Sequence, residues 1–272
     1  MTYTKVDDLV ANGIGVYQII AKDSGTAKAA GQTHTPWYQT GVIGAGAAPT
    51  GALNGATLTG PGVAGAIPMP AAVASTFVKM TRLGLTQAGS IGNVWLIDRL
   101  WGNVPVVTTT TSQAITSPTW PSRDQTASTN GAKVYLALEC SAATGNVGAI
   151  TNTTVSYTNS AGTAGRTATL VSFPATAVAG TWQMFALQAG DDGVRSVQSI
   201  TLGTSYVSGQ VHLVAFRLVA ELATPNVNIA NVAGFAQLAM PSVWDNSVLQ
   251  LVYFPTGTAL GALAGSCSYA QG

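Results

Sequence analysis

Hydrophobic and polar residues alternate in short runs from Phe77 onward. In "TFVKMTRLGL", Val78, Met80, Arg82 and Gly84 share one parity, opposite Phe77, Lys79, Thr81 and Leu83. In "NVWLIDRLW", Val94, Leu96, Asp98 and Leu100 oppose Trp95, Ile97, Arg99 and Trp101. "VPVVTTTTSQAIT" is rich in β-branched residues, and "AKVYLALEC", "AITNTTVSYTN", "GRTATLVSF", "TWQMFALQA", "VRSVQSITLG", "QVHLVAFRLVAEL", "GFAQLAM", "SVLQLVYFP" and "SCSYAQG" follow. Each run is bounded by Gly, Pro, Asn or Ser, so period two and these punctuators predict about a dozen strands. "QVHLVAFRLVAEL" also fits a helical period, but its β-branched and aromatic content favours a central strand. "STNGAK" and "AGDDGVRS" carry the Asn-Gly and Asp-Asp-Gly signals of tight turns.

The first 72 residues read differently. Thr4-Lys5-Val6-Asp7 resembles a capping box ahead of Asp8-Leu9-Val10-Ala11-Asn12, which predicts a helix of about two turns ending at Gly13. From Gly41 to Pro70 the chain is mostly Gly, Ala, Pro and Thr, with no sustained period. These residues cannot build a separate core, so Ile19, Ile20, Trp37 and Tyr38 are expected to dock elsewhere, as an extended arm ordered on a surface. The expected architecture is all-β: an antiparallel β-sandwich, jelly-roll-like, over 73–272, with an N-terminal arm over 1–72.

Composition sharpens the picture. Charged residues make up 8% of the 272 residues, far below the roughly 25% of ordinary domains, and net charge is +1. No Asp, Glu, Lys or Arg lies between Lys28 and Lys79, and after Glu221 only Asp245 is charged. Nucleic acid is therefore a poor partner, since no basic patch could neutralise a phosphate backbone. No apolar run reaches the ~18 residues of a membrane helix, and "MTYTKVDDLV" has no secretory pattern, so synthesis in a host cytoplasm and no membrane partner are expected. The polar positions of "VSYTNSAGTAGRTATLVSFP" are almost all neutral: Ser156, Thr158, Thr167 and Thr169. Hydroxyl-rich, charge-poor strands can pack against neighbours without burying charge. The expectation is a subunit covered by copies of itself, a trimer for example, or by another partner.

Candidate chemistry is sparse. There is no G-x-S-x-G, H-E-x-x-H, P-loop or paired-cysteine metal pattern. His212 alternates with Val211 and Leu213 as a sheet residue, and His34 lies beside Trp37 and Tyr38 in a loop-like stretch. Cys140 and Cys267 read as buried, non-catalytic thiols. Asp191 and Asp192 supply two oxygen ligands, which a turn also explains. No catalytic residue, cofactor or metal is expected, and the chain is not expected to be an enzyme. The aromatic residues carry more interest: Trp37, Tyr38, Trp95, Trp101 and Trp120 are candidate assembly contacts, with core packing the competing explanation for the last three.

At "RLWGNVPVVTTTTSQAITSPTWPSRDQTASTNGAKV" and "SYTNSAGTAGRTATLVSFPATAVAGTWQMFALQAGDDGVRSVQSITL" the chain resembles structural proteins of tailed bacteriophages. The resemblance covers about Leu96 to Val219, with a looser echo in "FPTGTA" and "GSCSYAQG", and rests on texture, not on a catalytic signature. It implies a β-sandwich virion component on the capsid surface, and carries over no catalytic or metal-binding residue. The role it suggests is a decoration or cement protein that binds the major capsid protein or other virion subunits and stabilises the shell. The alternative is a tail-tip, fibre or head-appendage protein that binds a host surface glycan.

Overall fold

The computed structural model describes residue 7, residues 16–25, 31–70 and 78–271. The helix expected after Thr4 lies, Asp7 apart, outside these residues. The chain forms two compact units, one of residues 1–46, 59–98 and 218–272, the other of residues 47–58 and 99–217.

The first unit has two sheets. One contains β1 (Val16–Lys22), β15 (Leu263–Gln271), β3 (Val78–Gln87) and β12 (Asn231–Gly234) in that order, with β13 (Ser242–Val243) also on β3. All these pairs are antiparallel. The other sheet takes residues 92–98 of β4 (Gly92–Gly102), which pair with β14 (Leu249–Pro255), and residues 218–224 of β11 (Gln210–Thr224). Their inner faces enclose a core of Ile20, Met80, Leu83, Leu85, Cys267 and Tyr269 from one sheet and Val94, Leu96, Val219, Leu222, Leu249, Leu251 and Tyr253 from the other. The period-two pattern drives this arrangement, because every second side chain of a strand must leave water together.

The second unit is also a sandwich. One sheet runs β5 (Gln113–Ala114), β10 (Val194–Thr201), β7 (Thr153–Asn159), β8 (Arg166–Leu170). The other comprises residues 99–102 of β4, residues 210–217 of β11, β6 (Val134–Ala142) and β9 (Trp182–Met184), with β2 (Ala56–Thr57) on β4. Its core joins Leu136, Leu138, Cys140, Val211 and Leu213 to Val155, Tyr157, Ala168, Val197 and Ile200, with Trp101, Trp120, Phe173 and Phe185.

The all-β antiparallel class expected from the sequence is the one adopted. The sheet orders do not carry the finer jelly-roll description. The expected boundary at 72/73 does not coincide with the grouping of the chain, because the segment before it supplies core. Ile20 of β1, Ile43, Ile67 and Met69 all belong to the first unit's cluster, and β1 pairs with β15 along its whole length. The Gly41–Pro70 stretch is irregular as expected, and it is ordered by bonds such as Ile67 N to Leu249 O (2.9 Å) in the first unit and Leu58 N to Leu100 O (2.9 Å) in the second. "QVHLVAFRLVAEL" is a strand, and "SVLQLVYFP" and "SCSYAQG" are strands. "GFAQLAM" is not: the strand ends at Gly234 and one helical turn, Phe235–Leu238, follows, with Ala239 at positive φ. Of "VPVVTTTTSQAIT" only Gln113–Ala114 is paired. Its β-branched residues fit a strand, but most of them are exposed or half-exposed and find no partner strand.

Candidate functional site: a hydroxyl-lined sheet face

The four-stranded sheet of the second unit turns Val155, Tyr157, Ala168, Leu170, Val197 and Ile200 into the core. Alternation therefore sends Thr154, Ser156 and Thr158 of β7, with Thr167 and Thr169 of β8, to the other face. Strand register aligns these residues into rows. Ala114, Ser199, Ser156 and Thr167 form one row, and Thr201, Thr154 and Thr169 form the next. Ser196 stands opposite Thr158. All the hydroxyl residues of these rows are half-buried or exposed. The rows hold no charged side chain; Arg195 lies at a register shift at the end of β10.

This face can accept or donate hydrogen bonds at every hydroxyl, because each rotates to suit its partner. Covering it removes no ion from water, which is the large cost of burying an ordinary protein surface. Thr favours the pleated geometry through its β-branch, so the same residue serves strand formation and surface chemistry. The sequence alternation revealed the β7 and β8 hydroxyls. It missed Ser196, Ser199 and Thr201, although the same alternation runs through "VRSVQSITLG".

One end of this sheet is pinned by a charged cluster. Asp191 accepts from Arg166 Nε (2.8 Å), Tyr157 Oη (2.5 Å) and Asn159 Nδ2 (2.7 Å). The bond from Arg166 is the main reason its carboxyl is held down at about 2. Asp192 accepts from Ser160 Oγ and lies 3.4 Å from Lys133 Nζ. Both carboxylates thus have turn-stabilising partners within the protein. Among the described residues, no group of three or more His, Cys, Asp or Glu is placed to hold a metal ion.

The predicted aromatic contacts are distributed over both units. In the first, Trp37 sits buried in a 3-10 turn, Pro36–Tyr38, whose Thr35 Oγ1 accepts from Trp37 N (3.1 Å). Thr35 Oγ1 also donates to Leu251 O (2.9 Å) and accepts from Gln250 Nε2 (2.7 Å), which lays this segment on β14. His34 exchanges backbone bonds with Tyr253. The Trp37 indole lies so close to Gly46 that a Cβ there would stand 2.2 Å from the ring. Tyr38 is half-buried, and so is Trp95, which packs against Phe254 at 4.6 Å between centroids. In the second unit, Trp101 and Trp120 pack together at 5.5 Å and are buried. Their indole N–H groups donate to Asn54 O (2.9 Å) and Val194 O (2.7 Å). These two rings are core in this structure, because each has both its apolar face and its polar handle satisfied internally.

The second unit also buries a polar network. Arg99 Nη1 bonds both oxygens of Glu139, at 2.8 and 3.1 Å, with both side chains essentially inaccessible. His212 stands opposite Glu139 in the register of β6 and β11. Its Nδ1 is 3.0 Å from Asn103 O, so Nδ1 carries the proton and Nε2 accepts from Ser141 Oγ at 2.5 Å. Burial keeps the imidazole below its usual range, against the pull of Glu139. Serine beside a neutral histidine is the pairing a nucleophile needs. A general base must also reach substrate, and His212 has no exposed surface. The network ties β4, β6 and β11 together.

No family model matches this chain, and no curated protein matches it. Two solved structures of infectious bursal disease virus, of its VP2 subviral particle and of its Gx strain, are similar at 12% and 14% identity, with TM-scores of 0.15 and 0.16. The matches cover 75% and 76% of this chain and 46% of each of theirs, so the chain spans under half the length of those proteins. Similarity of that size carries no argument about fold or role.

Proposed function

We propose that this protein is a structural component of a tailed-phage virion, attached to the capsid surface as a decoration or cement protein. In this reading it is not an enzyme and takes no cofactor; it acts by covering joints between shell subunits, with copies of itself or the major capsid protein as neighbours. The observation that supports the reading is the neutral hydroxyl face of β5, β10, β7 and β8, aligned in rows by register. Such a face is matched to a partner that will exclude water from it, whereas an ordinary solvated face carries Lys and Glu.

The test is co-sedimentation of the purified full chain with phage heads that lack it. The wild-type chain should pellet with heads. A Ser156→Lys, Thr167→Lys variant, folded by circular dichroism, should bind at least tenfold more weakly, because two adjacent ammonium groups would have to be buried. Equal binding by the variant would remove the hydroxyl face from the reading. Failure to bind heads, together with a hit on a glycan array, would favour a tail or head appendage that recognises a host glycan.

A further inference from the structure

We propose that one loop-bearing end of the second unit's sandwich is a self-association surface, and that its occupant is the same end of a second copy of this chain. The virion reading allows contact between copies; this inference locates that contact on the free chain and does not depend on that reading.

Antiparallel pairing gathers four connections at this end: 103–112 after β4, 143–152 between β6 and β7, 171–181 between β8 and β9, and 202–209 between β10 and β11. Hydrogen bonds join them into one surface. Tyr206 N donates to Val107 O (2.8 Å), and Gly145 N to Tyr206 O (3.0 Å). Thr144 N donates to Ala177 O (2.9 Å) and Thr176 N to Asn146 O (2.8 Å), while Ile150 and Phe173 exchange backbone bonds. Phe173 and Tyr206 are buried beneath, with ring centroids 5.5 Å apart. The loops are thus held in place from within, and less conformational entropy is left to lose on binding.

Each loop exposes a valine: Val106 is 48%, Val147 95%, Val171 75% and Val207 59% exposed. Val207 also has φ 68, a left-handed conformation that a β-branched residue rarely adopts. A glycine there would relieve the backbone, and the apolar side chain gains free energy only when something covers it. An open apolar group on each of four adjoining loops marks an interaction surface.

Chemistry selects the occupant. The four loops contain no Asp, Glu, Lys, Arg or His, whereas the connections at the opposite end of the unit carry Arg123, Asp124, Lys133, Asp191 and Asp192. A nucleic acid, an anionic headgroup or a charged protein surface would find no counter-charge among the valines and would lose hydration there. A second copy sets valine against valine. The exposed hydroxyls nearby, Thr108, Thr110, Ser172, Thr204 and Ser208, can each donate and accept, so they can pair with their own copies. The surface is therefore its own complement, as a two-fold contact requires. A net charge of +1 leaves little repulsion to keep two copies apart.

Sedimentation velocity of the full chain, from micromolar concentrations upward, tests this. Wild type should self-associate reversibly, with little dependence on salt. Val147→Lys with Val171→Lys should weaken association at least tenfold, and Val147→Glu with Val171→Glu equally. An equimolar mixture of the two variants should associate again, because opposite charges then meet across the contact. Ser156→Lys with Thr167→Lys, on the sheet face, should change association less than twofold. All variants should keep the wild-type circular dichroism spectrum; Val147→Ser with Val171→Ser, expected to weaken association at least threefold, replaces a charged variant that misfolds. A monomeric wild type, equal association by the folded variants, or no recovery in the mixture would overturn the proposal. So would a monomeric chain taken up by phosphatidylcholine vesicles unless Val147 is lysine, since the occupant would then be a bilayer. A chain that associates through this end yet fails to bind phage heads would support the inference while removing the virion reading.

Discussion

Replacing Asp124 by Asn isolates what one buried carboxylate does for the second unit. Oδ1 accepts from Thr126 N (2.9 Å), Thr126 Oγ1 (2.9 Å) and Ser128 N (2.7 Å), and Oδ2 from Ser128 Oγ (2.8 Å), Gly131 N (3.0 Å) and Ala132 N (3.1 Å). The hydroxyls can rotate to meet an amide, but the backbone N–H groups cannot. Whichever oxygen becomes NH2, two backbone donors face a donor. An unsatisfied buried donor costs about 1–3 kcal/mol, so two should cost ~2–6 kcal/mol. Asp124→Ala strands all four amides, yet opens space for water, and should cost only slightly more. The loss should propagate, because Arg123 beside it donates to Leu58 O (2.9 Å) and Arg99 O (3.3 Å) and so staples residues 47–58 to β4. Urea unfolding followed by tryptophan fluorescence gives the free energy, and hydrogen exchange at Gly131 and Ala132 gives the local effect. Burial alone would raise this carboxyl, but the bonds from Ser128, Thr126 and Ala132 outweigh it and hold it below its ordinary value. The contribution is therefore present above the unfolded value near 3.8 and lost as pH falls below it. A variant within 0.5 kcal/mol of wild type at pH 7, with unchanged exchange at both amides, would refute the reasoning.

Burial lowers Lys22 from 10.5 to about 8, so the unfolded chain binds more protons between those values, and the first unit should gain stability as pH rises from 8 toward 10.5; urea midpoints at pH 7 and 9.5 check this, and Lys22→Met should flatten the slope. Gly46→Ala should destabilise the first unit by about 1–3 kcal/mol through overpacking against Trp37, seen as a lower melting temperature and a shifted tryptophan emission. Arg99→Met or Glu139→Gln alone should cost about 3–5 kcal/mol, whereas an apolar replacement of both partners should cost much less; a double-mutant cycle on denaturation free energies separates the two.

The strands with strict alternation were legible. "NTTVSYTN" and "GRTATL" fold as read, because their apolar parity alone decides which face is buried. β1 was not legible as core, although Val16, Tyr17, Ile19 and Ile20 have strand chemistry. Its partner, β15, lies some 250 positions away, and only that pairing makes Val16–Lys22 a strand. "VPVVTTTTSQAIT" erred in the opposite direction, since propensity cannot supply a missing neighbour. The division into two cores was hidden because β4 and β11 each run as one continuous strand that contributes residues to both units, and the charged residues at the division, Asp98, Arg99 and Arg217, read as ordinary strand positions. The hydroxyl face was half legible: residue types and parity showed Ser156 and Thr167, and register was needed to join them to Ser199. The aromatic residues were ambiguous, since burial of Trp101 and half-exposure of Trp95 depend on neighbours that spacing does not name.

The interleaved path of the chain sets an order of events during synthesis. The second unit ends at residue 217, while the first still lacks 218–272. At roughly 5–20 residues/s, the ribosome supplies the second unit's last strand a few seconds before it supplies β14 and β15. Until β15 emerges, β1 and β3 have no strand between them, and Ile20, Met80, Leu83 and Leu85 have nothing from β15 to pack on. During that interval the nascent chain carries one closed sandwich and one open set of strands, so a holdase or a neighbouring nascent copy has its opportunity there and loses it once β15 inserts.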